Sequence, residues 1–161
     1  MDREHTGVRV FFSYSHDDKV YRDRIHKHLG VLEHQNFIEC WWDGEIEPGA
    51  AWHEEIVARL NSADLIVILV SASFLASEFC HIEEMNRALV RHDCGEARII
   101  PVLVRSCLWD SSPLRKLQFL PDGRRPLAEL GKQKLDRALT DIARNIAEAV
   151  TSFKAKVLSN S

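Results

Sequence analysis

The chain has 161 residues, 45% of them hydrophobic, and a formal charge of −3 from 21 basic and 24 acidic residues. This length suits one domain with a sizeable core, and the balanced charge offers no basic footprint for nucleic acid. No apolar stretch reaches the roughly 18 residues that a membrane span needs, and the polar N-terminus lacks the apolar core of a signal peptide.

The cysteines indicate a reducing compartment. They are far apart and form no CxxC pair, so we expect reduced thiols in a cytoplasmic protein rather than a disulfide framework. His92 and Cys94 are too sparse for a metal site, and no metal is predicted. The four cysteines are Cys40, Cys80, Cys94 and Cys107.

The first half of the chain alternates predicted strands and helices. Residues 8–14 alternate and are rich in β-forming residues, which predicts a first strand. Asp17 or Asp18 can cap the helix that follows, and residues 37–42 predict a second strand. A loop with two turn signals spans residues 43–50. The helix after the first strand has an apolar stripe of Tyr21, Ile25, Leu29 and Leu32, and a later helix has one of Trp52, Ile56 and Leu60.

The second half continues this alternation. Residues 65–70 form an apolar run typical of a strand buried on both faces, followed by a predicted helix over 77–92. Residues 99–104 predict a fourth strand, in which Pro101 indicates an edge or strand-start position. A short fifth strand is predicted at 126–128. A long final helix carries the stripe Leu135, Leu139, Ile142, Ile146, Val150 and Phe153.

This alternation predicts an α/β fold of the flavodoxin-like, three-layer kind. We expect a five-stranded parallel sheet in the order 2-1-3-4-5 with helices on both faces. Residues 1–153 are assigned to this domain and residues 154–161 to a polar tail or linker. Ligands in such folds bind beyond the carboxyl ends of the strands, which selects residues 13–17 and 71–84.

Three segments carry a resemblance to a known family. They are Phe11-Phe-Ser-Tyr-Ser15, Trp42-Asp-Gly-Glu-Ile-Glu-Pro-Gly49, and Ser71-x-Ser-Phe-x-x-Ser-x-Phe-Cys80 followed by glutamates. Together they resemble the successive boxes of a TIR domain of the bacterial branch, over residues 8–150. The resemblance implies a flavodoxin-like fold. Many members cleave NAD+ at the nicotinamide–ribose bond, and others are signalling scaffolds. Bacterial members often act in antiviral defence, joined to a sensor domain, which here would follow residue 161.

The implied reaction can proceed with one carboxylate. Breaking the bond builds oxocarbenium character on the ribose, whereas nicotinamide leaves already activated as a pyridinium, so no general acid is required. A carboxylate can hold the ribose hydroxyls and stabilise the positive charge, and a helix start favours its ionised form. NAD+ is then the substrate and no cofactor is implied. Whether the product is ADP-ribose or a cyclic isomer stays open.

Glu83 and Glu84 are the candidates for this carboxylate. The common family pattern places the glutamate four residues after the aromatic, which from Phe79 gives Glu83. A bacterial variant, similar to aromatic-Cys-x-x-x-Glu-Met, gives Glu84 and also matches Met85. We favour Glu84 and keep Glu83 as the alternate. The plain structural alternative is that both are solvated helix residues.

The resemblance also implies a set of substrate-binding residues. The segment after the first strand would bind the dinucleotide through exposed N–H groups, although the basic residue common there in the family is replaced by His16. Each position has a structural alternative: turn, helix cap, strand-end tryptophan or core residue. The set is Ser13, Tyr14, Ser15, Trp42, Asp43, Ser71, Phe74, Ser77, Phe79 and Cys80.

The main rival function is a catalytically silent TIR module that acts by protein–protein contact. The loop Asp43–Ala50 supports it, because its glycines permit mobility and its family counterpart makes TIR–TIR contacts. The two functions are compatible, since family members commonly become active when they assemble. A phosphorelay receiver is excluded, because it needs an aspartate where the third strand ends, and Val70-Ser71 stands there.

Overall fold

Four parallel strands form the central sheet. The computed structural model describes residues 7–42, 58–77, 83–123 and 125–159, and only the backbone of Glu83, Glu84 and Val157. In these ranges the strands run in the order β2-β1-β3-β4, all parallel, which confirms the predicted order of the first four strands. They are β1 (Val8–Ser13), β2 (Ile38–Trp42), β3 (Leu65–Val70) and β4 (Arg98–Leu103).

Helices connect the strands. The helix predicted after β1 is divided, since α1 (Lys19–His28) ends before α2 (Gly30–His34). Residues 58–62 are helical, whereas Trp52 and Ile56 lie outside the described residues. After β3 come α3 (Ala72–Leu75) and α4 (Glu83–Asp93), and α5 (Lys132–Ser159) closes the chain. Short 3-10 turns lie at His16–Asp18, Trp109–Ser111 and Leu127–Glu129.

The predicted fifth strand is wrong. Residues 126–128 enter the 3-10 turn Leu127–Glu129, in which Leu127 is buried. Pro126 has no N–H to donate to a strand ladder, which explains why the segment does not pair along its length. Beside β4 the described chain offers only an isolated parallel bridge between Val102 and Leu120.

Pro101 lies inside β4, and its position follows from the hydrogen bonding of that strand. β3 occupies one side of β4, with Pro101 opposite Ile68. The Pro101 carbonyl faces the other side and accepts a hydrogen bond from Leu120 N at 2.9 Å. The N–H and C=O of one residue in a parallel strand point to the same side, so the N–H that Pro101 lacks would also point away from β3. On that side the described chain pairs with β4 only through the bridge at Leu120, and the expected edge position is confirmed.

Alternate residues of each strand pack into one of two cores. In β3, which is buried throughout, Leu65, Val67 and Leu69 face the core that contains the stripe of α5. Ile66, Ile68 and Val70 face the second core, which contains Met85 and Ala88 of α4. Both faces of the sheet are thus covered by helices, as predicted for an apolar parallel strand.

The last helix is longer than its apolar stripe. α5 continues to Ser159, so the domain boundary predicted after residue 153 falls inside it. Near its end, Lys156 Nζ donates a hydrogen bond to the Gly95 carbonyl at 2.9 Å. Among the described residues, no helix combines the length and apolarity needed to cross a membrane.

His92 joins α4 to β4 and makes the stability of the domain depend on pH. Its Nδ1 accepts a hydrogen bond from Ile99 N at 3.0 Å, a role that requires a neutral nitrogen. Burial lowers the pKa of His92 below its ordinary value of 6.5, against the opposing charge of Asp93. The unfolded chain therefore binds this proton more readily, and the unfolding free energy is expected to fall as the pH drops below about 6.5, levelling off below the folded-state pKa.

Urea denaturation of the wild type and of His92→Gln, from pH 8 to about pH 5, measures this effect. The glutamine variant keeps an acceptor but has no titrating group. We expect the wild-type advantage to shrink as the pH falls. A difference that stays constant across this range would contradict the prediction.

Candidate functional site

Polar side chains meet at the carboxyl edge of the sheet, where β1, β3 and β4 end. Ser13 is the last residue of β1, Ser71 follows β3, and Arg105 comes two residues after β4. Asp18, from the 3-10 turn after β1, lies between the last two. Parallel strands bring their carboxyl ends to one edge, so residues far apart in the chain gather there.

Asp18 is the centre of this cluster. Its side chain is fully buried and accepts two hydrogen bonds, from Ser71 Oγ at 2.5 Å and from Arg105 Nε at 3.0 Å. Of the two predicted caps, Asp17 or Asp18, it is Asp18 that occupies the N-cap position of α1, but its side chain makes no capping hydrogen bond. The carboxylate instead ties together the loops that follow three strands.

Ser71 has two partners. Its hydroxyl donates to Asp18 and accepts from Phe74 N at 3.2 Å, which makes Ser71 the N-cap of α3. Ser77, another serine of the predicted substrate-binding set, donates from Oγ to the Phe74 carbonyl at 2.6 Å. The Phe74 ring is 1% exposed and packs into the second core.

Arg105 supplies a cation at this edge. Its side chain is 48% exposed, and its guanidinium lies 5.5 Å from the centre of the Tyr21 ring. The hydrogen bond to Asp18 raises the pKa of Arg105 above its ordinary value, so the charge is permanent. His16, the basic residue nearest to β1 in sequence, is exposed.

Asp18 and Arg105 are absent from the site that the motifs predict. Their positions in the sequence give one indication of a role at this edge, because each lies within a few residues of the carboxyl end of a strand. That position alone does not show that their side chains meet. Asp18 and Arg105 are 87 residues apart in the chain.

The residues predicted to bind the dinucleotide are placed at this edge. Ser13 is fully buried, and its Oγ has no hydrogen-bond partner among the described residues. Tyr14 is buried, with the Arg22 guanidinium 5.3 Å from its ring centre. Ser15 is half-buried, and its carbonyl accepts a hydrogen bond from Asp18 N at 2.8 Å.

Trp42, at the end of β2, is held by three neighbours. Its ring makes edge contacts with Phe12 and His26, with centroid distances of 6.4 and 4.6 Å. The Arg22 guanidinium lies 4.5 Å from its ring centre. These contacts match the structural alternative of a half-buried strand-end tryptophan, and base stacking by Trp42 stays a prediction.

The remaining predicted positions are only partly described. Asp43, Phe79 and Cys80 lie outside the described residues, and Glu83 and Glu84 are described as backbone of α4 alone. A cavity of about 560 Å³ lies between residues 120–122, Arg125 and α5, and none of the predicted site residues that the structure describes lines it. At the carboxyl edge of the sheet lie two predicted residues, Ser13 and Ser71, and two unpredicted ones, Asp18 and Arg105.

Comparison with known proteins identifies the family. The model of the TIR domain family matches residues 10–149 of this chain. The chain belongs to the TIR domain family. An uncharacterized protein, y4lF, from the bacterium Sinorhizobium fredii is 41% identical over 140 residues, which are 87% of this chain and 43% of that protein. This chain thus spans less than half of its bacterial relative, and the TIR domain resemblance to the bacterial branch is confirmed.

A solved structure shows the same fold. The TIR domain of the Toll-related receptor TRR-2 from Hydra magnipapillata superposes with a TM-score of 0.52 at 18% identity. The match covers 88% of this chain and 97% of the Hydra domain. At this identity the likeness supports the TIR fold, a parallel sheet covered by helices, and no finer statement.

Proposed function

We propose that this TIR domain is an NAD+ glycohydrolase that cleaves the nicotinamide–ribose bond with Glu84 as the catalytic carboxylate. The TIR family includes NAD-cleaving enzymes, and this chain carries adjacent glutamates in α4, just after the Ser71–Cys80 motif. It acts in the cytoplasm as an antiviral effector, fused to a sensor domain and switched on when TIR domains assemble.

The placement of α4 is the observation that carries this proposal. α4 lies between β3 and β4 in the chain and packs against the second core through Met85 and Ala88. A helix between two parallel strands runs back along the sheet, so its N-terminal end lies at the carboxyl edge of the strands. This position of the α4 start supports a role for Glu83 and Glu84 at the edge where Ser13, Ser71 and Asp18 lie.

The spacing within α4 supports the choice of Glu84 over Glu83. Residues four apart share a face of a helix. Glu84 precedes the buried Ala88 by four residues, whereas Glu83 precedes the exposed Arg87 by four. A catalytic carboxylate must face the sheet edge rather than bulk solvent, which favours the position that shares the buried face.

The cluster around Asp18 suits a supporting role. Its hydrogen bonds to Ser71 and Arg105 lock the loops that would contact the substrate. Arg105, half exposed and permanently charged, offers a partner for the pyrophosphate where the family's basic residue is replaced by His16.

The direct test is to incubate the domain with NAD+ while clustering it on a scaffold, and to identify the products by chromatography. We expect nicotinamide with ADP-ribose or a cyclic isomer. If the clustered wild type leaves NAD+ intact, the catalytic proposal fails and the silent interaction module becomes the better description.

Activation by assembly makes a separate prediction. Because the family counterpart of the loop Asp43–Ala50 makes TIR–TIR contacts, we expect turnover per domain to rise steeply with concentration or with enforced clustering. The measurement is the rate of nicotinamide release per domain over a dilution series. A specific activity that is flat across dilution would contradict assembly control while leaving the catalytic assignment intact.

A further inference from the structure

Three side chains that can bind metal converge at the outer edge of the sheet. They come from different elements: His26 from α1, Glu33 from α2 and Cys40 from β2. One donor atom from each lies within 4.8 Å of the other two, and His26 Nε2 is 2.5 Å from Glu33 Oε1. The three residues follow one another at intervals of seven along the chain, and no sequence motif indicates that they form a group.

The fold brings these residues together at the break between α1 and α2. In a continuous helix, residues seven apart are separated by about 10 Å along the axis. Here α1 ends before Leu29 and α2 begins at Gly30, and the side chains of His26 and Glu33 meet across that junction. Cys40 is paired with Val10 in the ladder between β1 and β2, and packs against the core beneath the two helices.

The donor set suits Zn²⁺. Zinc prefers sulfur, imidazole nitrogen and carboxylate oxygen in tetrahedral geometry, with bonds of about 2.0–2.3 Å, which places neighbouring donor atoms about 3.3–3.5 Å apart. The donor atoms here lie within 4.8 Å of one another, and His26 Nε2 and Glu33 Oε1 are 2.5 Å apart, so the side chains must shift by roughly 1 Å to reach zinc geometry, with that pair moving apart. His26 and Glu33 are 32% and 34% exposed and have room to rotate, and that exposure leaves the fourth position to water.

We propose that His26, Glu33 and Cys40 bind one Zn²⁺ ion that fastens the edge strand β2 to α1 and α2. Burial, followed by the charge of Glu33, raises the pKa of the Cys40 thiol, so binding releases that proton to solvent as the sulfur becomes a thiolate. The site lies beside Trp42, whose ring contacts His26. The ion thereby steadies the carboxyl end of β2 at Trp42.

Cobalt binding tests the site directly. The domain, produced without a histidine tag and treated with a chelator, is titrated with Co²⁺ and followed by absorption. We expect one equivalent to bind with a thiolate-to-cobalt charge-transfer band in the near ultraviolet, and Zn²⁺ to displace it. Saturating Zn²⁺ is expected to raise the thermal midpoint by about 5–10 °C.

Matched cysteine variants locate the metal. Cys40→Ala should lose the charge-transfer band, whereas Cys107→Ala, which removes another partly buried thiol, should keep it. His26→Gln and Glu33→Gln should weaken cobalt binding by at least about tenfold. Replacing even a residue that only hydrogen-bonds to a metal ligand typically lowers the metal affinity by that factor. Circular dichroism checks that each variant folds. If Cys40→Ala does not fold, His26→Gln carries the same test from a partly exposed position.

Three results would overturn this proposal. They are the absence of a charge-transfer band in the wild type, a band that survives in Cys40→Ala, and a zinc-induced thermal shift that is equal in the wild type and in His26→Gln. Each would mean that the three residues form only a histidine–glutamate hydrogen bond beside a partly buried thiol. None of these readouts depends on NAD+ cleavage.

Discussion

Glu84→Gln is expected to abolish nicotinamide release from NAD+ while leaving the fold of the TIR domain intact. Glutamine has nearly the shape of glutamate but no charge, so it cannot stabilise the positive charge that develops on the ribose. Removing an electrostatic stabiliser of a transition state typically lowers kcat by about 100- to 1000-fold. The measurement is nicotinamide release by the clustered domain, followed by chromatography.

Glu83→Gln is the matched control for this experiment. It changes the adjacent residue in the same way, and consecutive residues differ by about 100° around the helix. We expect it to retain most of the activity and to melt at the same temperature as the wild type. Full activity of Glu84→Gln would refute the assignment of that residue. Loss of activity in Glu83→Gln alone would move the catalytic role by one position.

Asp18→Ala is expected to cost about 2–3 kcal/mol of unfolding free energy, the largest stability effect that we predict. The carboxylate is fully buried and accepts hydrogen bonds from Ser71 Oγ and Arg105 Nε. Its loss leaves a small cavity and a buried hydroxyl with one partner fewer. Arg105 is half exposed and regains water, which keeps the cost below that of breaking a fully buried ion pair. Urea denaturation measures the change.

Asp17→Ala provides the control for Asp18. Asp17 is exposed and accepts one hydrogen bond, from Ser73 Oγ at 2.9 Å, so its removal should cost less than about 0.5 kcal/mol. Both variants remove one negative charge, but only Asp18 is buried. Comparing them therefore separates the effect of burial on the unfolding free energy from the effect of net charge. Equal losses in the two variants would contradict the central role of Asp18 at the carboxyl edge.

Much of the fold is readable from local patterns. The apolar run 65–70 became the fully buried β3, and the stripe from Leu135 to Val150 became the buried face of α5. These signals are strong because burial on both faces, or on one helical face, repeats over many residues. The fifth strand failed because residues 126–128 are few and include a proline, so tertiary packing outweighed a weak local preference.

Contacts between side chains were harder to predict from the sequence than helices and strands. Asp18 was one of two candidate helix caps, which is the commonest role of an aspartate before a helix, and no motif points to Arg105. Their contact depends on which strands lie side by side. The same holds for His26, Glu33 and Cys40, whose meeting depends on the junction between α1 and α2.

The sequence by itself indicated the family, the order of the first four strands and the two candidate glutamates, because each motif and each strand or helix is a local pattern and the strand order follows from the fold class that these patterns indicate. Only the tertiary structure decided which polar groups meet at the carboxyl edge. Ser71 and Asp18 are 53 residues apart and become partners because parallel pairing places the ends of β1 and β3 next to each other. A buried carboxylate needs hydrogen-bond donors, and only the folded chain shows where Asp18 finds them.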